Sequence, residues 1–169
     1  MIIRYVGSDL PIFSTGKVGG ALDFNNSYIS AGSVYNGVKS AEFWVKADNT
    51  TKKILDLNGS AYVEVSSGVI TATGWTLPTI YVDGVATSTI DTNWHHVVIT
   101  ANTGLNASAV EFGRATSTNY FDGKLDEIKF YNRALSVSEV RYHYNKGGPV
   151  AYWKFDEGSG TTTYANSGN

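Results

Sequence analysis

AEFWVK, residues 41–46, alternates: Phe43 and Val45 share one face, Glu42 and Lys46 the other. Such a period of two marks a half-buried strand, because successive side chains leave a strand on opposite sides. The same rhythm recurs outward from it. Residues 53–57 (KILDL) and 61–65 (AYVEV) flank Asn58-Gly59, a hairpin signal because both central residues of the tightest turn need positive φ. Residues 80–85 (IYVDGV) enter an Asp-Gly turn, and residues 95–100, 109–112 and 124–131 read as further strands. Turn residues punctuate the chain every roughly eight to twelve positions, the spacing of a sandwich or barrel. No stretch before residue 133 supports a helix.

The exception is LSVSEVRYHY, residues 135–144. Ser136 precedes Glu139 by three, so each side chain can satisfy an orphan amide of a first helical turn, and Leu135 is placed to staple onto Val140. This predicts one short helix near residues 137–144, ended by Gly147-Gly148, with Lys146 suited to the helix dipole. Beyond Pro149, VAYWKF (residues 150–155) alternates again, with Ala151, Trp153 and Phe155 on one face, before a Gly/Ser/Thr/Asn-rich stretch to Asn169.

Composition agrees with a turn-rich β protein. Charged residues are 17% of the 169, below the roughly 25% of ordinary domains, while 18 glycines exceed the usual share of about 7%. At this length roughly 70% of the unfolded surface can be buried, so one core suffices without disulfides or metals. There is no Cys, which removes disulfide frameworks, thiolate zinc sites and thiol nucleophiles. A net charge of −2 with no Lys/Arg block argues against nucleic acid or an anionic membrane surface as partner. No apolar run is long enough for membrane insertion. The opening Met1-Ile2-Ile3-Arg4 is not a signal peptide, because the charge interrupts the apolar stretch at once.

Six segments together carry a family likeness: GKVGGALDF (16–24), EFWVK (42–46), YVDGV (81–85), NWHHVVIT (93–100), FDGKLDEIKFYNRALSVSEV (121–140) and VAYWKFDEGSGTTTYANSGN (150–169). The chain resembles laminin-G-like domains of the concanavalin A-like jelly roll over nearly its whole length. The resemblance implies an all-β, two-sheet antiparallel sandwich of a kind found in extracellular or cell-surface proteins that bind glycans or other proteins, often with calcium. One departure matters. In the family the YWKFDEGSG segment opens the domain, whereas here it follows the helix. Residues 1–149 are therefore read as the jelly roll and 150–169 as the family-opening strand and loop. Val150, Tyr152, Trp153 and Phe155 then complete either this domain or a neighbouring one.

Catalysis finds little support. Asp126 and Glu127 are adjacent, as are Asp156 and Glu157, so on a strand each pair faces opposite sides and cannot work as an acid and base on one bond. His95 and His96 diverge for the same reason, and His143 belongs to the helix; no nucleophile triad or phosphate-cradling glycine loop stands out. Calcium takes oxygen ligands, and the resemblance points to Asp126 and to the C-terminal loop at Asn169, although the family's usual Asp in that loop is Ala165 here. Asp126 capping backbone amides, or pairing with Arg133, is the competing reading. For glycan binding, Trp75 between Gly74 and Pro78 is the first candidate stacking platform and Tyr120 the second, while Trp94 and Trp153 belong to strand patterns.

The sequence thus predicts a non-catalytic recognition or adhesion module binding a glycan or a cell-surface protein. Its alternative is a structural subunit that forms a homo-polymer by donating its C-terminal strand head to tail.

Overall fold

The computed structural model describes residues 4–7, 10–49, 52–115 and 120–145, the first of these by backbone alone. Its strands are β1 (Arg4–Gly7), β2 (Ile12–Thr15), β3 (Gly20–Asn25), β4 (Ser27–Gly32), β5 (Tyr35–Ala47), β6 (Lys52–Asp56), β7 (Tyr62–Ser66), β8 (Val69–Thr73), β9 (Thr79–Val82), β10 (Trp94–Ala107), β11 (Val110–Phe112) and β12 (Asp122–Tyr131); the helix α1 (Val137–Asn145) follows. Among the described residues they form two six-stranded sheets, β1-β4-β11-β6-β7-β8 and β2-β3-β12-β5-β10-β9. This is the sandwich that the alternating pattern predicts. Strands β1 to β4 and β8 were not legible from alternation alone, and the strand expected at residues 150–155 lies outside the described residues.

The core fills the space between the inner faces. Phe43 and Val45 of β5, Val97 and Ile99 of β10, and Ile54, Leu55, Val63 and Ile70 of the opposite sheet share one buried cluster. Phe24 and Phe121 meet edge to face within it, their centroids 6.3 Å apart. Burying side chains of this size contributes roughly 1.5–3 kcal/mol each, which is why alternation in β5 decides the fold.

The turns obey the chemistry expected of them, with one difference. At Asp83-Gly84 both residues have positive φ (51° and 80°), and Val82 and Val85 exchange both backbone hydrogen bonds, 2.9 and 3.0 Å, as in a tight two-residue hairpin. At Asn58-Gly59 only Gly59 is left-handed, and the hairpin is wider, closed by the Leu57 amide on the Ala61 carbonyl at 2.8 Å. Asn58 contributes through its side chain instead, accepting the amides of Ser60 and Ala61 at 2.9 Å each.

Helix α1 lies over the outer face of the second sheet. Leu135 and Val140 pack with Tyr81 and Val98 there, so the predicted staple is also the docking contact. The capping box forms: the Ser136 amide donates to Glu139 at 2.9 Å, and the Glu139 amide to Ser136 Oγ at 3.3 Å. Ser40 Oγ fixes the approach to the helix, donating to the Arg133 carbonyl at 2.8 Å and accepting the Leu135 amide at 3.0 Å. Ser136→Ala is expected to cost about 1 kcal/mol, a fall in melting temperature of about 2–4 °C for a domain of this size, measurable by calorimetry.

Candidate functional site

The outward alternates of three neighbouring strands form rows across the second sheet. Asp126, Trp44 and His96 stand in one row, and Lys129, Glu42 and Val98 in the next. Strict alternation would not have produced this. Between Asp126 and Lys129 the register slips, so that Glu127 and Ile128 together oppose Phe43, and Glu127 takes φ 52°. This bulge resets the phase of LDEIKFY. Leu125, Ile128 and Phe130 all contribute to the core, while Asp126, Lys129 and Tyr131 keep to the outer face.

Glu42 is the centre of the site. It lies under α1 with 3% exposure, yet three donors converge on it. His96 Nε2 reaches Oε1 at 3.2 Å, Tyr131 donates to Oε2 at 2.6 Å, and His143 Nδ1 from the helix reaches the same oxygen at 2.9 Å. Lys129 stands 3.6 Å from Oε1 and 3.1 Å from Glu127. Burial pushes the Glu42 carboxyl up, but the hydrogen bonds from His96, Tyr131 and His143 outweigh it and hold the carboxyl at about 2. Glu42 is therefore an anion at neutral pH. Burial, then the bond to Glu42, pushes the Tyr131 hydroxyl up, so it remains a donor.

Aromatic rings close the arrangement. Trp44 lies 5.1 Å from the His96 ring and 5.8 Å from Tyr144, and Lys17 Nζ stands 4.9 Å from the Trp44 ring centroid. Between the helix and the β12 bulge remains an open recess of about 360 Å³, lined by Glu42, Trp44, Glu127, Lys129, Tyr131, Tyr142 and His143. Its floor is Glu42 and Trp44, both buried, and its rim carries Tyr142, 64% exposed. A second recess of about 330 Å³, lined by Val34, Tyr35, Phe130, Tyr131 and Asn132, shares Tyr131 with it. Three protein donors already engage the Glu42 carboxylate. Glu127 and Lys129, both partly exposed, are the polar groups available to an incoming molecule.

The residues singled out from sequence fall elsewhere. Trp75, expected as an exposed platform, is 6% exposed and belongs to the core cluster, its Nε1 without a hydrogen-bond partner among the described residues. Gly74 is left-handed at φ 75° and a side chain there would collide with the Ser60 carbonyl; buried beside it, the Trp75 ring offers no face to a ligand. Tyr120 is half-buried against Tyr28, centroids 6.2 Å apart, with the Arg114 guanidinium 3.3 Å from the Tyr28 ring centroid. Asp126 is buried and accepts the Val18 amide at 2.9 Å, the backbone-capping role rather than the pairing with Arg133, whose partner is Glu139 at 2.7 Å.

Calcium takes six to eight oxygens. Asp126 brings one carboxylate already engaged by an amide, and no group of three or more acidic or histidine side chains suited to a metal occurs among the described residues. The described part of the site does not fit that ion. Asn169, Val150, Tyr152, Trp153 and Phe155 lie outside the described residues. Among the described residues no helix is long and apolar enough to cross a membrane.

Sequence reading missed the convergence of His96 and His143 on Glu42. A signal existed: His143 follows the buried Val140 by three positions, which puts both on the sheet-facing side of α1.

Among solved structures, the chain is similar to domain 4 of AbnA, a GH43 extracellular arabinanase from Geobacillus stearothermophilus, in complex with arabinotriose. The TM-score is 0.58 at 16% identity, covering 82% of this chain and 86% of that one. At that identity the likeness speaks for the fold. No curated protein matches the chain. A laminin G family model, described as concanavalin A-like lectin/glucanases superfamily, matches residues 36–141, more than half of the 169. With that match spanning β5 to α1, the chain belongs to the laminin-G-type branch of the concanavalin A-like lectin/glucanases superfamily.

Proposed function

We propose that the chain is a non-catalytic recognition module that binds carbohydrate in the recess between α1 and β12. The observation that carries this reading is the composition of the recess: an exposed tyrosine ring at the rim, beside a Glu127–Lys129 pair, over a floor whose Glu42 carboxylate is already engaged by three protein donors. A sugar needs an apolar face to stack on and oxygens and nitrogens for its hydroxyls; Tyr142 offers the first, Glu127 and Lys129 the second. The two recesses that share Tyr131 offer room for more than one sugar unit.

Glu42 argues against hydrolysis. A general acid must hold a proton near working pH, and a carboxyl held at about 2 with three protein donors does not. Support for a carbohydrate ligand also comes from the similar arabinanase domain, whose structure contains arabinotriose, and that enzyme's extracellular setting fits an exported parent protein. A cell-surface protein is the competing partner for the same face.

The test is a calorimetric titration with arabinotriose and a panel of neutral oligosaccharides. Stacking on one ring is worth on the order of 1 kcal/mol, so Tyr142→Ala is expected to weaken binding about tenfold or less while leaving the melting temperature unchanged. Binding that the substitution does not alter, or no binding by any of these sugars, would count against the reading.

A further inference from the structure

Among the described residues the second sheet ends at an uncovered strand. Strand β2 is its outermost member there, paired among those residues only with β3. Through the register, Phe13 stands opposite Leu22, and Leu22 opposite Leu125. Leu125 is a core residue at 3% exposure, so Phe13 is on the core-facing side of the sheet as well, yet it is 78% exposed. Ile12 and Leu10 are exposed at 70% and 60%. An unpaired edge beside a core-facing aromatic left in water is a surface that takes up another strand.

We infer that β2 receives residues 150–155 of the same chain as an added antiparallel strand. The occupant is argued from pattern and from reach. VAYWKF alternates, so one face presents Ala151, Trp153 and Phe155, the rings that a site built around Phe13 lacks. Its route is short. The ring of Tyr144, in the last turn of α1, lies tilted 5.8 Å from that of Trp44, and Lys17, two residues beyond the end of β2, stands 4.9 Å from the same ring. The four residues 146–149 span up to about 14 Å when extended. The chain thus leaves α1 near the Thr15 end of β2, and running from there toward Ile12 makes it antiparallel to β2. The inference is independent of the carbohydrate reading, because it uses neither Tyr142 nor the Glu127–Lys129 pair.

Hydrogen exchange on the full chain, with its mass measured by light scattering, tests it. We expect a monomer in which amides of residues 150–155 exchange at least 100-fold more slowly than in a free peptide. Phe13→Asp should abolish that protection while β5 and α1 stay protected; if that variant fails to fold, Phe13→Ala should reduce the same protection. Free-peptide exchange at 150–155 would overturn the inference. So would protection indifferent to Phe13, which places the strand elsewhere. Protection seen only in dimers or longer series would mean that each chain completes a neighbour, and that too would overturn it.

Discussion

Replacing Glu42 with alanine is expected to destabilise the domain by about 3–5 kcal/mol, the usual cost of removing one partner from a buried charged network. The side chain is 4% exposed, and its loss strands the buried His96 donor and removes the acceptor shared by the half-buried Tyr131 and His143. Because His143 belongs to α1 while Glu42, His96 and Tyr131 belong to the sheet, the helix should loosen first. Chemical denaturation with a fluorescence probe on Trp44, beside Tyr144, reports both the loss and its location. The acid limb carries the sign. Glu42 titrates at about 2 in the fold against 4.5 ordinarily, so its stabilisation is complete above about pH 4.5 and is lost as pH falls toward 2. A depression of that size corresponds to about 3 kcal/mol. Glu42→Gln should abolish this part of the acid sensitivity, and an unchanged slope between pH 4.5 and 2 would show that the carboxylate is not the anchor.

Gly123→Ala is expected to be comparably severe, about 3–5 kcal/mol, from backbone strain and overpacking together. Gly123 pairs with Phe24 on one side and Ala47 on the other, at φ 135°, and an added Cβ would collide with the Lys46 carbonyl and lie 3.0 Å from the Ala47 Cα. Each obstacle is backbone held in the ladder, so nothing can swing aside. Gly19→Ala is the control: φ is 68° but no atom lies within 4 Å, so only conformational strain of about 1–2 kcal/mol should appear. Equal melting temperatures for the two variants would show that β12 tolerates displacement.

What was legible in the sequence was what short-range chemistry dictates. Alternation exposed β5 and β10, the Asp-Gly turn declared its own geometry, and Ser136 with Glu139 marked the start of α1. The rest required contacts far apart in the chain. Trp75 looked free because no local pattern claimed it, and the core claimed it instead. Glu42 looked like an ordinary outward charge of a sheet; only a helix about 100 residues later makes it a buried anion. The bulge at Glu127 was written in the three-residue step from Leu125 to Ile128, but its consequence, a charged pair at the edge of a recess, depends on where α1 lands.

Amide chemical-shift mapping during an oligosaccharide titration tests most directly the proposal that carbohydrate binds this face of the sheet. Saturable shifts confined to Glu127, Lys129, Tyr131, Tyr142 and His143 are expected, with the Trp75 indole and the Tyr28–Tyr120 cluster unmoved. Shifts centred on Tyr120, or none at the recess while sugar binds, would contradict it.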